Sequence, residues 1–344
     1  MIETKTLKIY GTESQGQLFI ESLIHKYFEK AELNYKIEKI NDLSLFIDLK
    51  LESIPSIQLD DGTIYPIKDG NYFKQNLRKA LSEILQKDNF GQLKKIVVPF
   101  DFSESSINAF MYAHRLATSI DAVTQVSHID TAAGKNKDKF NNFISQVDID
   151  WNSDILEASL IKKQYLLGPI KETLIKSVLS SNPHLLVIGN RGNSKTLNHI
   201  GSTATLILKE LNTRVLIIPE NAKFTRLKNI VFPYQNEEQL NTHLDFVIDI
   251  AKPFNAQITL LKATNGKDIS PTTLLNKWQS AYKNISYNDE GCHSELNVSP
   301  HIISPENASM LTIPKELSLN CSYYQNLENS VLQNNSKIPY LSLR

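Results

Sequence analysis

In the stretch LLVIGNRGNSKTLNHIGSTATLILKELN, Leu185 to Asn212, three glycines (Gly189, Gly192 and Gly201) separate an apolar strand pattern from an amphipathic helix pattern. Glycine lets a backbone approach a phosphate closely and adopt positive φ, so that successive amide hydrogens converge on one anion. Gly201-Ser202-Thr203 opens the helix, where first-turn amides lack backbone acceptors and the helix dipole favours negative charge. Two such features on one loop suit a polyphosphate, although a plain turn with a serine cap uses the same residue types. The loop holds no Gly-Lys-Ser/Thr and no G-x-G-x-x-G, so neither common glycine fingerprint applies. Asp101, at the end of KKIVVPFD, can accept hydrogen bonds from hydroxyls or a base edge, and Arg191 and Lys195 can neutralise phosphate charge. Their plainer roles are an aspartate favouring a helix dipole and two solvated loop cations.

These residues need strands to carry them, and the chain supplies an internal repeat. Lys95 to Val126 lies over Asn229 to Leu260 without a gap, with Pro99 on Pro233, Ala117 on Ala251 and Ala122 on Ala256. Each copy opens with a β-branched run, a helical pattern and a second β run, the start of a parallel α/β unit. The copies also close alike, TRVLIIP with IPYLSL, and the later half of the second copy is shorter. Within the first copy, ILEASLI reads as a third strand. The helix after Gly168-Pro169 places Ile170, Leu174, Ile175 and Val178 on one face, and HLLVIG leads into the loop. Five strands alternating with four helices predict a doubly wound parallel sheet, whose ligands sit beyond the carboxyl ends of the strands.

Residues 1–88 follow another rhythm. TLKIYGT and NYKIEKI read as strands around the helix QLFIESLIHKYFEKA, with Phe19, Leu23 and Phe28 buried. SIPSIQLDDGTIYPI turns at Asp61-Gly62, and NYFKQNLRKALSEIL closes the segment as a helix. Polar connectors at 86–92 and 219–226 divide the 344 residues into 1–88, 93–220 and 227–344.

The spacing of Gly189, Gly192, Gly201 and Ser202 resembles the G-x2-G-x9-G-S/T pattern of the universal stress protein family, with eight residues in the second spacer where the family shows nine. The resemblance extends along the repeat: KKIVVPFDFSESSINAF is similar to the family's first strand and turn, AVTQVSHID to its second strand, and LLVIGNRG and TRVLIIPE to its fourth and fifth. It implies contacts to adenine and ribose from Pro99, Phe100 and Asp101, an adenine pocket lined by Ile129, and phosphate on Gly189, Arg191, Gly192, Gly201, Ser202 and Thr203. It further implies an adenine nucleotide (ATP, AMP or ADP, with or without Mg), a role in stress response through protein partners, and no enzymatic turnover beyond slow incidental hydrolysis. In the second copy Gln235 replaces the aspartate and the glycine loop is missing, so a tandem protein with one live and one degenerate half is expected. Members of the family pair through their last strands, which makes VLIIP and PYLSL an intrachain pseudo-dimer, with a homodimer as a further arrangement.

Residues 1–88 resemble the thioredoxin-like fold in its glutaredoxin-sized form, with Pro55 at that fold's cis-proline. YGTESQGQLF, where the redox dithiol would lie, contains no cysteine, which leaves a binding or dimerisation role. The expected fold class is therefore α/β throughout: a thioredoxin-like domain followed by two doubly wound parallel-sheet domains of the adenine nucleotide alpha hydrolase-like kind. An alternative stays open, a nucleotide-free interaction scaffold in which every ancestral site has been lost.

The bulk properties narrow the classes further. Lys+Arg and Asp+Glu both number 37, so no large field exists to hold nucleic acid or an anionic membrane. The chain starts without a signal-peptide pattern and shows no apolar run of spanning length, so a cytoplasmic protein is expected. Cys292 and Cys321 form no disulfide framework, and the eight histidines show no metal-ligand spacing. His128, inside an apolar strand, reads as a core residue.

Overall fold

A computed structural model describes residues 5–14, 17, 18, 20–22, 24, 25, 35–59, 62–67, 77, 94–120, 122–131, 134–150, 161–190, 202–262, 271–288, 307–315 and 337–344. They belong to two compact units, one of residues 1–93 and 141–162, the other of 94–140 and 163–344.

The first unit carries a four-stranded sheet in the order β2-β1-β3-β4, from β1 (Lys5–Tyr10), β2 (Tyr35–Ile40), β3 (Ser56–Gln58) and β4 (Ile64–Pro66). β1 runs parallel to β2 and antiparallel to β3, and β3 turns back on β4 through Gly62 at φ 81°. The Ile54–Pro55 bond is cis. Leu7, Ile9, Ile20, Ile24, Ile57, Ile67 and Leu77 fill the core, which accounts for the helical spacing of 20 and 24. Phe19, Leu23 and Phe28, expected to be buried, lie outside the described residues. Helix α1 (Leu43–Asp48) is short, capped by the Asp42 carboxylate on Ser44 N.

The second unit is built on one ten-stranded sheet. In its first half β5 (Lys95–Phe100) pairs in parallel with β6 (Val123–Asp130) on one side and β8 (Leu185–Gly189) on the other. β7 (Ile161–Leu167) lies beyond β6, and β9 (Val215–Ile218) beyond β8. The third strand is described from Ile161; of the expected ILEASLI only Ile161 is among the described residues, and the rest lies outside them. The second half repeats the arrangement with β10 (Asn229–Tyr234), β11 (Gln257–Lys262), β12 (Ile285–Asn288), β13 (Met310–Pro314) and β14 (Tyr340–Leu343), in the order β12-β11-β10-β13-β14. The halves join where β14 and β9 pair antiparallel, Leu341 opposite Leu216. Every β9 and β14 residue is buried, as expected for strands covered on both faces.

Helices pack on both faces of this sheet. α2 (Glu104–Ser119) buries Ala109, Phe110, Ala113, Leu116 and Ala117, the i, i+3/i+4 stripe that its sequence presents. α3 (Lys137–Asp150) follows β6, and α4 (Ile170–Ser181) follows β7. Leu174 and Val178 of α4 are 1% exposed and Ile175 packs beside them, whereas Ile170, expected on the same face, is half exposed at the first turn. α5 (Ser202–Glu210) leads into β9, α6 (Glu237–Ala251) follows β10, and α7 (Pro271–Gln279) precedes β12. A single apolar cluster crosses the midline, joining Val97, Ile188, Ile207 and Ile217 to Val231, Leu311, Ile313 and Tyr340. Among the described residues no helix is long and apolar enough to cross a membrane.

Candidate functional site

The chain leaves β5 at Asp101 and β8 at Asn190. These strands are parallel neighbours, in register at Ile96 with Leu185 and Val97 with Leu186. From β5 the chain continues to β6 on one side, while β8 lies on the other. Strand order thus reverses between β5 and β8, and in a doubly wound sheet a crevice opens there at the carboxyl ends.

Alternation along the strands separates the expected contact residues. Phe100 turns to the α2 face, where its ring lies 6.2 Å from Phe110 and 6.0 Å from Phe140, and it is 3% exposed. Its ring belongs to the core. Pro99 and Ile129 point to the opposite face. Both are half-buried, and Ile129 packs against the cluster containing Leu174 and Ile207. Asp101 is exposed, and its Oδ1 accepts from Ser103 N at 3.0 Å and from the Ser103 hydroxyl. Ser103 caps α2 by accepting Ser106 N at 3.1 Å. The aspartate therefore shapes the turn that launches α2 while presenting an acceptor at the strand end.

Gly189 meets a second constraint. A Cβ placed there would lie 2.7 Å from the Ser105 carbonyl oxygen and closer still to its hydroxyl, so α2 can approach β8 only because this residue lacks a side chain. Asn190 is fully buried and donates its backbone N–H to Ile218 O at 3.1 Å, holding the strand end against β9. Arg191, Gly192, Lys195 and Gly201 lie outside the described residues. Ser202 and Thr203 are the first two residues of α5.

Beside this position sits an aromatic group that the sequence did not advertise. Phe102 adopts φ 63°, and its ring packs edge-on against Phe100 and His128, each at 5.0 Å, beneath the Lys139 ammonium at 4.2 Å. His128 is 5% exposed and donates from Nδ1 to the Phe100 carbonyl at 2.7 Å, which makes it the core residue expected. The Asp130 carboxylate accepts from the Tyr165 hydroxyl at 2.5 Å and from Asn136 N at 3.1 Å, tying β7 and the start of α3 to β6. Burial first, and then that carboxylate, raises the Tyr165 phenol above its ordinary pKa. The available signal was the two-residue spacing of His128 and Asp130 along one strand.

At the corresponding place in the second half, Gln235 replaces Asp101, Gln239 replaces Ser105 and Pro314 replaces Gly189. Gln239 is 6% exposed, and its side-chain oxygen accepts Gln235 N at 2.8 Å. The amide fills the strand-end turn from within. Among the described residues no three His, Cys, Asp or Glu side chains are grouped so as to hold a metal ion.

No family model and no curated protein matches the chain. Solved structures do. A functionally unknown protein from Pseudomonas aeruginosa PAO1 superposes with TM-score 0.51 at 11% identity, covering 73% of this chain and 92% of that one. A protein of Pseudomonas aeruginosa UCBPP-PA14, assigned provisionally to the universal stress proteins, gives TM-score 0.50 at 11% identity over 73% and 93%. A universal stress protein from Archaeoglobus fulgidus gives 0.49 at 15% identity over 73% and 96%. At 11% identity the first two of these show the fold alone: an α/β chain with parallel-dominated sheets, as in the Pseudomonas structures.

Proposed function

We propose that the chain is a tandem universal stress protein whose first half, 93–220, binds an adenine nucleotide, ATP foremost, and that it acts in a stress response through protein partners. The observation that carries this reading is the convergence at the β5/β8 reversal. There an exposed carboxylate acceptor (Asp101) follows β5 and the glycine that ends β8 (Gly189) stands on the neighbouring strand, while the half-buried Pro99 of β5 and Ile129 of β6 lie near the same carboxyl ends. In this arrangement Asp101 accepts from ribose hydroxyls and Ile129 packs against the base. The loop amides, with the start of α5, receive the phosphates, and Arg191 offsets their charge. The second half, 227–344, is the degenerate partner, since the same strand order there carries Gln235 and Pro314.

The N-terminal segment, 1–88, is read as a thioredoxin-like module without redox chemistry, supported by its β2-β1-β3-β4 order and by the lack of any cysteine before Cys292. Its role is binding or dimerisation.

A second reading is favoured by specific contacts. Gly189 is already required by Ser105, and Asp101 by the α2 turn, so both residues have structural work in a nucleotide-free scaffold. Acid extraction of the purified protein followed by mass spectrometry, then calorimetric titration with ATP, separates the two. Binding predicts co-purified adenine nucleotide or saturable heat, and Gly192→Val weakens that heat by tenfold or more while the melting temperature stays constant. Absence of both nucleotide and heat at millimolar ATP leaves the scaffold.

A further inference from the structure

We infer that the connector between the two halves, residues 219–226, is a strap whose docking on α2 is coupled to occupancy of the nucleotide site; this rests on the nucleotide reading given above. The stretch PENAKFTR is polar, and Lys223, Thr225 and Arg226 are exposed, the pattern of a loose linker. The structure holds it at several points. Asn108 Nδ2 donates to the carbonyls of Pro219 at 3.1 Å, Glu220 at 3.3 Å and Ala222 at 2.8 Å. Phe224 packs edge-on against Tyr112 at 4.9 Å and reaches Phe254 of the second half at 6.1 Å. Arg226 donates from Nη2 to the Phe254 carbonyl at 3.2 Å, and Ala222 is 2% exposed.

The residues that grip the strap share a helix with the site. Ser105, Asn108 and Tyr112 fall at i, i+3 and i+7, one stripe of α2. Ser105 meets Gly189 at the first turn, two residues after the Ser103 cap that Asp101 organises. Asn108 and Tyr112 carry the strap on the next two turns. A ligand drawing on Asp101 and the Gly189 backbone fixes the first turn of α2, and a docked strap fixes the two that follow. Each ordering event lowers the entropy cost of the other, so the two are positively coupled, and reciprocally so. Release of the strap uncovers Tyr112, now 2% exposed, together with Phe224, which gives an apolar surface whose exposure depends on nucleotide.

The test is limited trypsin digestion of the full chain, with cleavage after Lys223 and Arg226 followed by mass spectrometry, alongside ATP calorimetry. Saturating ATP slows these two cuts by about fivefold or more. Asn108→Ala accelerates them without ATP and weakens ATP binding by the factor by which the ATP protection has fallen. Phe224→Ala removes the ring contacts to Tyr112 and Phe254 and leaves the Asn108 hydrogen bonds in place, and it gives the same pattern if Asn108→Ala proves too unstable to use. ATP heat with unchanged cleavage overturns the coupling and spares the nucleotide reading. Absence of ATP heat overturns both, and the acceleration by Asn108→Ala then reports a fixed clamp.

Discussion

At the residue scale, Gly189 shows how one position serves packing and a ligand site together. The Ser105 backbone occupies the space a methyl group would need, and backbone yields less readily than a side-chain tip. Gly189→Ala therefore pushes α2 off β8 and destabilises the ten-stranded unit by about 1–3 kcal/mol, the usual cost of an overpacked contact. Thermal denaturation checks this, and an unchanged melting temperature would show that α2 moves freely. The glycine was legible in the sequence, but its first reason was not. A loop pattern reports that glycine is tolerated, while the approach of Ser105 depends on a helix 84 residues earlier in the chain. Phe100 makes the converse case. Adjacent to Asp101 in sequence, it is turned by strand alternation into the α2 core, away from the face where Pro99 and Ile129 lie.

At the element scale, strong periodicity was read correctly and weak periodicity was not. α2, with its Ser103 cap and apolar stripe, follows from local sequence, as do β5, β8 and β9, which are buried on both faces. β7 lies at the sheet edge as IKKQYLL, whose lysines protect an exposed edge and erase the apolar run that marks a central strand. The residue that enters β8 packs against α6 and adds a titratable contact at the opposite end of that strand from Gly189. His184 lies 4.8 Å from the Phe246 ring, with the Arg214 guanidinium 4.3 Å over that ring and Lys94 paired to Asp249 at 3.1 Å. Burial, then the Lys94 and Arg214 charges, lowers the His184 pKa from 6.5 to about 4. The folded state thus binds the proton less readily than the unfolded chain. Stability present above pH 6.5 declines as pH falls towards 4, because the unfolded chain takes up the proton first. His184→Gln removes this component, so denaturant titrations of wild type and variant converge or cross as pH drops from 7 to 4. A difference independent of pH would show that the imidazole takes up its proton equally readily in the folded and unfolded states.

At the scale of the whole molecule, strands of both halves share one core through Val97, Ile217, Val231, Ile313 and Tyr340. The repeat announced two similar halves. That they fuse across β9 and β14 was legible only through the family resemblance, since four-residue strands at the two ends carry no pairing code of their own. Leu341 is fully buried opposite Leu216 at this seam. Leu341→Glu buries an unpaired carboxylate there and costs more than about 3 kcal/mol. Calorimetry is expected to show both halves melting together at a lower temperature in one transition. A second half that melts alone, leaving the first untouched, would show that the shared core does not couple them.

The β9–β14 seam also frees the assembly from mass action. Two separate chains that meet edge to edge fall apart on dilution, and their pairing tracks expression level. Strands tethered in one polypeptide meet at a fixed effective concentration set by the intervening chain. The continuous sheet is therefore as complete at nanomolar protein as at millimolar, and its two halves remain in one-to-one proportion whatever the cell's supply of the protein.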